Sequence, residues 1–281
     1  KPLKVIAPSF SCSAIGQNTP IAGSLVTISV TLTANIDFPD GSTVTIVGLT
    51  GTQTASVAGL QVSSTSGYLG SEGAWTQSTG QLVLTAASGG TSAGTACTVT
   101  FDLQQAAAEY TPPSVSVMAA IKDGSTVLGS IAQVAMTPPN TPLFGVVNGA
   151  NPLVVVVPEF DVRKIGQSNP NAQEANVITV TLQTNVNLDQ GAFVTISGLR
   201  NAAVAGGADY VALLDIRNNG GSLFSDGSIQ GRGAWSFFES SGQLDLTVYS
   251  GQTVTAGTEY IFSFQVTNPA AEQNAVTVNI G

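Results

Sequence analysis

At 281 residues the chain is long enough for two medium cores rather than one small one, and only 9% of it is charged. Seventeen acidic against eight basic residues give a net charge of -9, thinly spread, which argues against nucleic-acid binding; no apolar run approaches the ~20 residues of a membrane span. Histidine is absent, which removes Ser-His-Asp and Cys-His nucleophile systems together with the commonest metal ligand.

The chain opens on KPLKVIAPSF, and NPLVVVVPEF returns 150 residues later. At that offset Pro2, Leu3, Val5, Pro8, Phe10, Ile15, Gly16, Gln17 and Pro20 match Pro152, Leu153, Val155, Pro158, Phe160, Ile165, Gly166, Gln167 and Pro170. A start at Lys1, with neither methionine nor a signal-like segment, suits a processed secreted protein or a fragment. The next element is a half-buried strand, because Val26, Ile28, Val30 and Leu32 alternate with polar residues at period two; VITVTLQTN repeats it. STVTIVGL and AFVTISGL give a second strand pair. Further on, Gly73–Ala74–Trp75 matches Gly233–Ala234–Trp235, GQLVLT matches GQLDLT, AGTACTVTF matches AGTEYIFSF, and QQAAAEYTPPSVSV matches TNPAAEQNAVTVNI.

A period of this length is domain-sized, so the chain reads as a tandem pair of autonomous domains. Short strands between turn clusters such as DFPDGS and ASGGTSAG predict an all-β fold of two tandem Ig-like β-sandwiches, a jelly roll sharing the same local signals. The expected division is residues 1–136, a Pro/Gly/Asn linker over 137–151, and residues 152–281. The GAW, GQLxLT and AGTxYxxxF pattern resembles Ig-like repeats of secreted and cell-surface structural proteins, and the paired strand motifs resemble pilus-like fibril subunits assembled by donor-strand exchange. That resemblance implies a structural role and carries over no catalytic residue.

The two copies differ in length. Val115 and Val117 align with Val278 and Ile280, after which the first copy still has MAAI, a KDGS turn and VLGSIAQVAM, so the second copy is expected to lack a C-terminal strand. Such a sandwich exposes apolar side chains and unpaired backbone groups. The candidate groove residues are Val276, Val278 and Ile280, and the candidate donor is the N-terminal strand of a neighbouring copy through Pro2, Leu3, Val5, Ile6 and Phe10. The expected function is then a non-enzymatic subunit of an extracellular or cell-surface fibril, a homo-oligomeric helical filament built head to tail. Self-completion of each repeat, or a chain continuing past Gly281, accounts for the same asymmetry. The alternative from another class is a cell-surface adhesin or carbohydrate-binding module, for which glycans would be the partners.

No cofactor or metal is expected. Asp37 and Asp40 lie in one turn, and Glu72, Glu109, Glu159, Glu239 and Glu272 are scattered, so no acid and base pair can be nominated. Trp75 and Trp235 recur at one repeat position and read as core rather than as a sugar platform. No Asn-x-Ser/Thr sequon with an allowed middle residue occurs, while the many Ser and Thr leave O-glycosylation open. Cys12 and Cys97 align with the apolar Val162 and Tyr260; both are expected to face inward, as a disulfide or as two buried thiols.

Overall fold

The computed structural model describes residues 5–87, 89–111, 114–124, 126–238 and 241–281. The chain divides into two compact units, Lys1–Val157 and Pro158–Gly281. Both are built of antiparallel strands, and the helical turns among the described residues are three short 3-10 segments, Thr65–Gly67, Gln77–Thr79 and Ala205–Gly207. The all-β class in two tandem sandwiches read from the sequence is the one observed. The division differs from the expected one. Residues 137–151, expected as a linker, and 152–157, expected to open the second domain, both belong to unit 1.

Unit 1 contains β1 (Phe10–Gln17), β2 (Leu25–Ala34), β3 (Thr43–Val47), β4 (Val57–Ser64), β5 (Glu72–Thr76), β6 (Gln81–Thr85), β7 (Ala96–Gln104), β8 (Ser116–Asp123) and β9 (Thr126–Ala135). They hydrogen-bond in the order β1-β2-β7-β4-β5-β6-β3-β8-β9. β4 belongs to both layers: Val62–Ser64 pair with β7, whereas Val57, Leu60 and Gln61 pair with β5. The alternation read in β2 is real, every second residue from Val26 to Ala34 being buried. These side chains meet Val44, Ile46, Leu82, Leu84, Val99 and Phe101 in one core.

Unit 2 contains β10 (Phe160–Gln167), β11 (Ala175–Thr184), β12 (Leu188–Asp189), β13 (Phe193–Arg200), β14 (Tyr210–Ala212), β15 (Leu214–Arg217), β16 (Phe224–Ser225), β17 (Arg232–Phe238), β18 (Ser241–Val248), β19 (Thr253–Val254), β20 (Tyr260–Thr267) and β21 (Asn279–Ile280). One sheet runs β10-β11-β20-β15, the other β14-β17-β18-β13-β21, and β12 pairs with β19. Here the strand equivalent to β4 is divided at the buried Leu213: β14 serves one layer and β15 the other. On the flank where unit 1 adds the β8–β9 hairpin to β3, β13 pairs among the described residues with the two-residue β21.

Trp75 and Trp235 are both buried, as expected of core residues, and the Trp75 indole N–H donates to the Thr54 carbonyl at 2.9 Å. The disulfide expectation is overturned, since both cysteines are free. A β-bulge between Phe10 and Cys12 shifts the register, so Cys12 sits opposite the outward Thr33 while Cys97 sits opposite the inward Leu32. Adjacent strands thus direct the two sulfurs to opposite faces of one sheet: Cys12 is exposed and Cys97 buried.

Candidate functional site

The feature that distinguishes the two units lies at the end of β1 and its counterpart on β10. In unit 1, β1 gains a partner on its outer edge. Ile15 N–H donates to the Thr137 carbonyl (3.1 Å), Thr137 N–H to the Ser13 carbonyl (2.8 Å), and Gln17 N–H to the Ala150 carbonyl (3.0 Å). Gly16 permits this approach, because a Cβ there would lie 3.3 Å from the Ala150 oxygen.

The repeat's opening segment completes the cover. Despite its run of four valines it forms no regular strand. Asn151–Val154 is a turn closed by Val154 N–H to the Asn151 carbonyl (3.3 Å), with Pro152 second and Leu153 third in the left-handed region at φ 59°. A branched side chain there costs about 1–2 kcal/mol. Full burial of Leu153 in the unit 1 core offsets that cost, together with its N–H donated to Gln17 Oε1 at 2.7 Å. Val155 and Val156 then each form a single bridge, antiparallel with Tyr110 and parallel with Ile21. Tyr110 N–H donates to the Val155 carbonyl (3.3 Å), Val156 N–H to the Pro20 carbonyl (2.8 Å) and Ala22 N–H to the Val156 carbonyl (2.9 Å).

Gln17 is the latch. Its Nε2 donates to the carbonyls of Gly149 and Val154, both at 2.9 Å, while its Oε1 accepts from Leu153 N–H and from Gln105 Nε2 at 3.3 Å. Gln105 Nε2 also donates to the Thr19 carbonyl at 3.0 Å. Every polar atom of the Gln17 amide is therefore engaged inside the unit, which fixes the turn. Tyr110 holds the other side, with its ring over Gly51 and its hydroxyl 3.0 Å from Thr50 Oγ1.

Unit 2 reproduces the frame without the cover. Gly23 N–H to the Ala106 carbonyl and Gln105 N–H to the Ser24 carbonyl recur as Gln173 N–H to Pro269 and Asn268 N–H to Glu174. Asn268 Nδ2 donates to Asn169, as Gln105 does to Thr19, and Gln273 takes the place of Tyr110, joined to Asn201 and Arg200. Yet Ile165 is 38% exposed where Ile15 is 3% exposed. Gly166, Gln167 and Pro170 are exposed as well, and a Cβ on Gly166 would meet nothing within 4 Å. Among the described residues nothing pairs with the Pro170 carbonyl or the N–H groups of Ala172 and Gln273. Asn176, buried at the position of Val26, turns this end polar: its Oδ1 accepts from Ser168 and Asn169 N–H and its Nδ2 donates to Gln167 Oε1 and Asn268 Oδ1.

The nominated donor residues divide at Ser9. Pro2 and Leu3 lie outside the described residues. Val5 is 92% exposed, against 4% for its counterpart Val155, and Ile6 is exposed too. Asn35 Nδ2 donates to the Ala7 carbonyl, Ser9 N–H donates to Asn35 Oδ1, and Phe10 packs edge-on against Phe38 at 6.2 Å between centroids, inside its own sandwich. The nominated groove residues do not line an empty slot. Val278 and Ile280 pack against the unit 2 core, Ile280 opposite Ile196, and Val276 is half-buried. Sequence matching aligned Gln17 with Gln167 but did not assign the latch, whose signal is an amide kept at one position in both copies.

The carboxylates hold turns. Asp37 Oδ1 accepts from Ala93 N–H (2.7 Å), Asp215 Oδ1 from Ser222 N–H (2.7 Å), and Asp226 Oδ1 from Ser228 and Ile229 N–H. Glu239 lies outside the described residues. No group of three or more His, Cys, Asp or Glu able to hold a metal occurs among the described residues, and no helix among them is long and apolar enough to cross a membrane.

No family model and no curated protein matches the chain. Similar solved structures include the partial N-terminal region of an enterococcal surface protein (7% identity, 96% of this chain and 86% of that one, TM-score 0.26). They also include the Enterococcus faecalis adhesin ACE (10%, 97% and 93%, 0.23) and the S. aureus collagen adhesin (8%, 96% and 85%, 0.23). The fold is carried by the chain's own hydrogen-bond ladders.

Proposed function

We propose that the chain is a non-enzymatic structural subunit of an extracellular or cell-surface fibril, whose copies join head to tail when the N-terminal segment of one docks on the second unit of the next. One observation carries this reading. The repeat's opening segment covers a sandwich at Pro152–Val156, while its first occurrence projects Val5 into solvent and the matching surface of unit 2 is bare. A donor at one end and an acceptor at the other make a heterologous contact, which propagates as a filament unless the rotation closes a ring.

The size of the contact sets its strength. Burial of Leu3 and Val5 contributes roughly 1.5–3 kcal/mol each, and five hydrogen bonds like those of Leu153–Val156 contribute about 1 kcal/mol apiece. Ordering five residues costs about 1–2 kcal/mol each. These terms leave about -2 to +6 kcal/mol before the loss of translational and rotational freedom on association is counted, so the joint is at most weak, reversible and concentration-dependent, unlike a full inserted strand. Sedimentation of the intact chain from micromolar to near-millimolar concentration is expected to reveal growing head-to-tail species, and a chain lacking residues 1–7 is expected to stay monomeric. Growth unchanged by the deletion overturns the reading.

A second reading, a surface adhesin, is favoured by one depression on unit 2. Its wall includes Ala203, Val204, Asp209, Trp235 and the exposed Phe237, with Arg232 stacked 4.0 Å over the neighbouring Tyr210 ring. The exposed Phe237 ring is the surface on which a sugar face would stack, with the buried Trp235 behind it as the reporter. Trp75, sealed in its core, offers no such platform. Quenching of tryptophan fluorescence by a glycan, lost in Phe237→Ala, would favour this reading over the fibril.

A further inference from the structure

The fibril reading leaves open where on the second unit the N-terminal segment seats. Resting on that reading, we infer that the acceptor is the polar end of unit 2 formed by Gln167–Gln173 and Asn268–Gln273, not the flank of Val276, Val278 and Ile280, and that its occupant is Pro2–Ile6 of a second copy.

The register follows from the covered unit. Shifting the contacts of Leu153–Val156 by one repeat places Leu3 N–H on Gln167 Oε1 and the Lys4 carbonyl on Gln167 Nε2. Gln273 N–H then donates to the Val5 carbonyl, Ile6 N–H to the Pro170 carbonyl, and Ala172 N–H to the Ile6 carbonyl. The backbone donors and acceptor required, Gln273 N–H, Ala172 N–H and the Pro170 oxygen, are those without partners among the described residues. The supporting frame is in place, because Asn268 and Gln173 make the bonds that Gln105 and Gly23 make beneath the covered site. Side-chain direction agrees as well. Leu153 and Val155 point in while Val154 and Val156 are half-buried, which puts Leu3 and Val5 inward and leaves the Lys4 ammonium at the rim.

Charge fits the same assignment. Residues 1–6 carry Lys1 and Lys4 and no carboxylate, whereas 167–174 and 268–274 carry Glu174 and Glu272 and no cation. Arg200 adjoins this end, its carbonyl accepting from Gln273 Nε2, while Arg163 and Lys164 stand further back on β10, Arg163 ~13 Å from Gln167 at the usual strand rise. The Val276–Ile280 flank offers no comparable match, since Val278 and Ile280 are already packed on their own core.

The parallel bridge Ile21–Val156 becomes Asn171 of one copy beside Ile6 of another. Such partners lie about 4.8 Å apart, within the span a disulfide bridges. Two full chains in a Cys12→Ser, Cys97→Val background, one bearing Ile6→Cys and the other Asn171→Cys, are mixed and oxidised. A mixed disulfide is expected in at least ten-fold excess over that formed with a Thr277→Cys chain, which reports the Val276–Ile280 flank. Equal or greater capture by Thr277→Cys overturns the acceptor assignment and leaves the fibril reading standing if growth still depends on residues 1–7. Absence of any mixed disulfide, with no concentration-dependent growth, overturns both.

Discussion

The edges of β1 and β10 are the same ladder under two conditions. Both strands bulge after their first residue, both pair with the next strand over the same register, and both end in Ile-Gly-Gln. In unit 1 that edge is sealed by residues 137–156, and Ile15, Gln17 and Pro20 are buried; in unit 2 the same residue types face water. A side chain's contribution therefore depends on what lies over it, and identical repeat positions are expected to respond very differently to one substitution.

The largest difference is expected at Val155 and Val5. Val155→Asp places an unpaired carboxylate at a buried position under the cover of unit 1, at a cost of roughly 3–5 kcal/mol, by analogy with broken buried charge pairs. Val5→Asp, on a residue that is almost wholly exposed, should leave unfolding unchanged within about 0.5 kcal/mol while still suppressing self-association. Lys4→Gln, which removes one cation from the proposed donor but keeps the aliphatic stem, should leave unfolding unchanged and weaken self-association far less than Val5→Asp does. Urea unfolding of each full chain, followed through Trp75 in unit 1, checks the stability arm. Equal destabilisation by both aspartates would mean that Val5 is a core residue of its own sandwich.

A smaller difference is expected at the latch. Gln17→Ala strands the Leu153 N–H and the Gly149 and Val154 carbonyls, at about 1–3 kcal/mol for the groups left buried. Gln167→Ala, on the open edge, loses one acceptor for Asn176 Nδ2, which keeps Asn268 Oδ1, and should cost under about 1 kcal/mol. Hydrogen exchange at Leu153 and Val156 is the local readout: it should accelerate in Gln17→Ala and be unaffected by Gln167→Ala.

The strands were legible because period-two alternation survives in β2 and β11, where every second side chain is buried. The recurrence of Trp75 and Trp235 also marked a core position correctly, because a large ring kept at one place in both sandwiches fills the same layer. At its second occurrence the opening segment forms two single bridges and no regular strand, for a backbone reason. Four consecutive valines suggest a strand, but Leu153 adopts a left-handed conformation that branched residues rarely take, so the chain turns before it bridges. The domain boundary moved with it. Residues 152–157 are homologous to the start of the first repeat, yet their burial and hydrogen bonds are spent on unit 1, and sequence homology alone does not show which core a shared segment serves.

The smallest effect, without consequence for stability, concerns the two thiols. Apolar residues at both equivalent positions in the second copy suggested a pair of inward side chains, but the bulge after Phe10 advances the register by one and sends Cys12 outward. Cys97 is buried against the Leu32 side of the sheet, and desolvation there pushes its thiol above the ordinary value, because the thiolate loses more than the neutral form. A thiol reagent near pH 8 should therefore modify Cys12 rapidly in the folded chain and spare Cys97. Cys97 should stay unreactive as the pH is raised, since a raised pKa keeps it protonated to higher pH and burial limits access at any pH. Denaturant without reductant should release a second equivalent. One equivalent folded and two unfolded is the expected count, and zero in both states would mean that the two sulfurs are bonded and that β1 does not have the register described here.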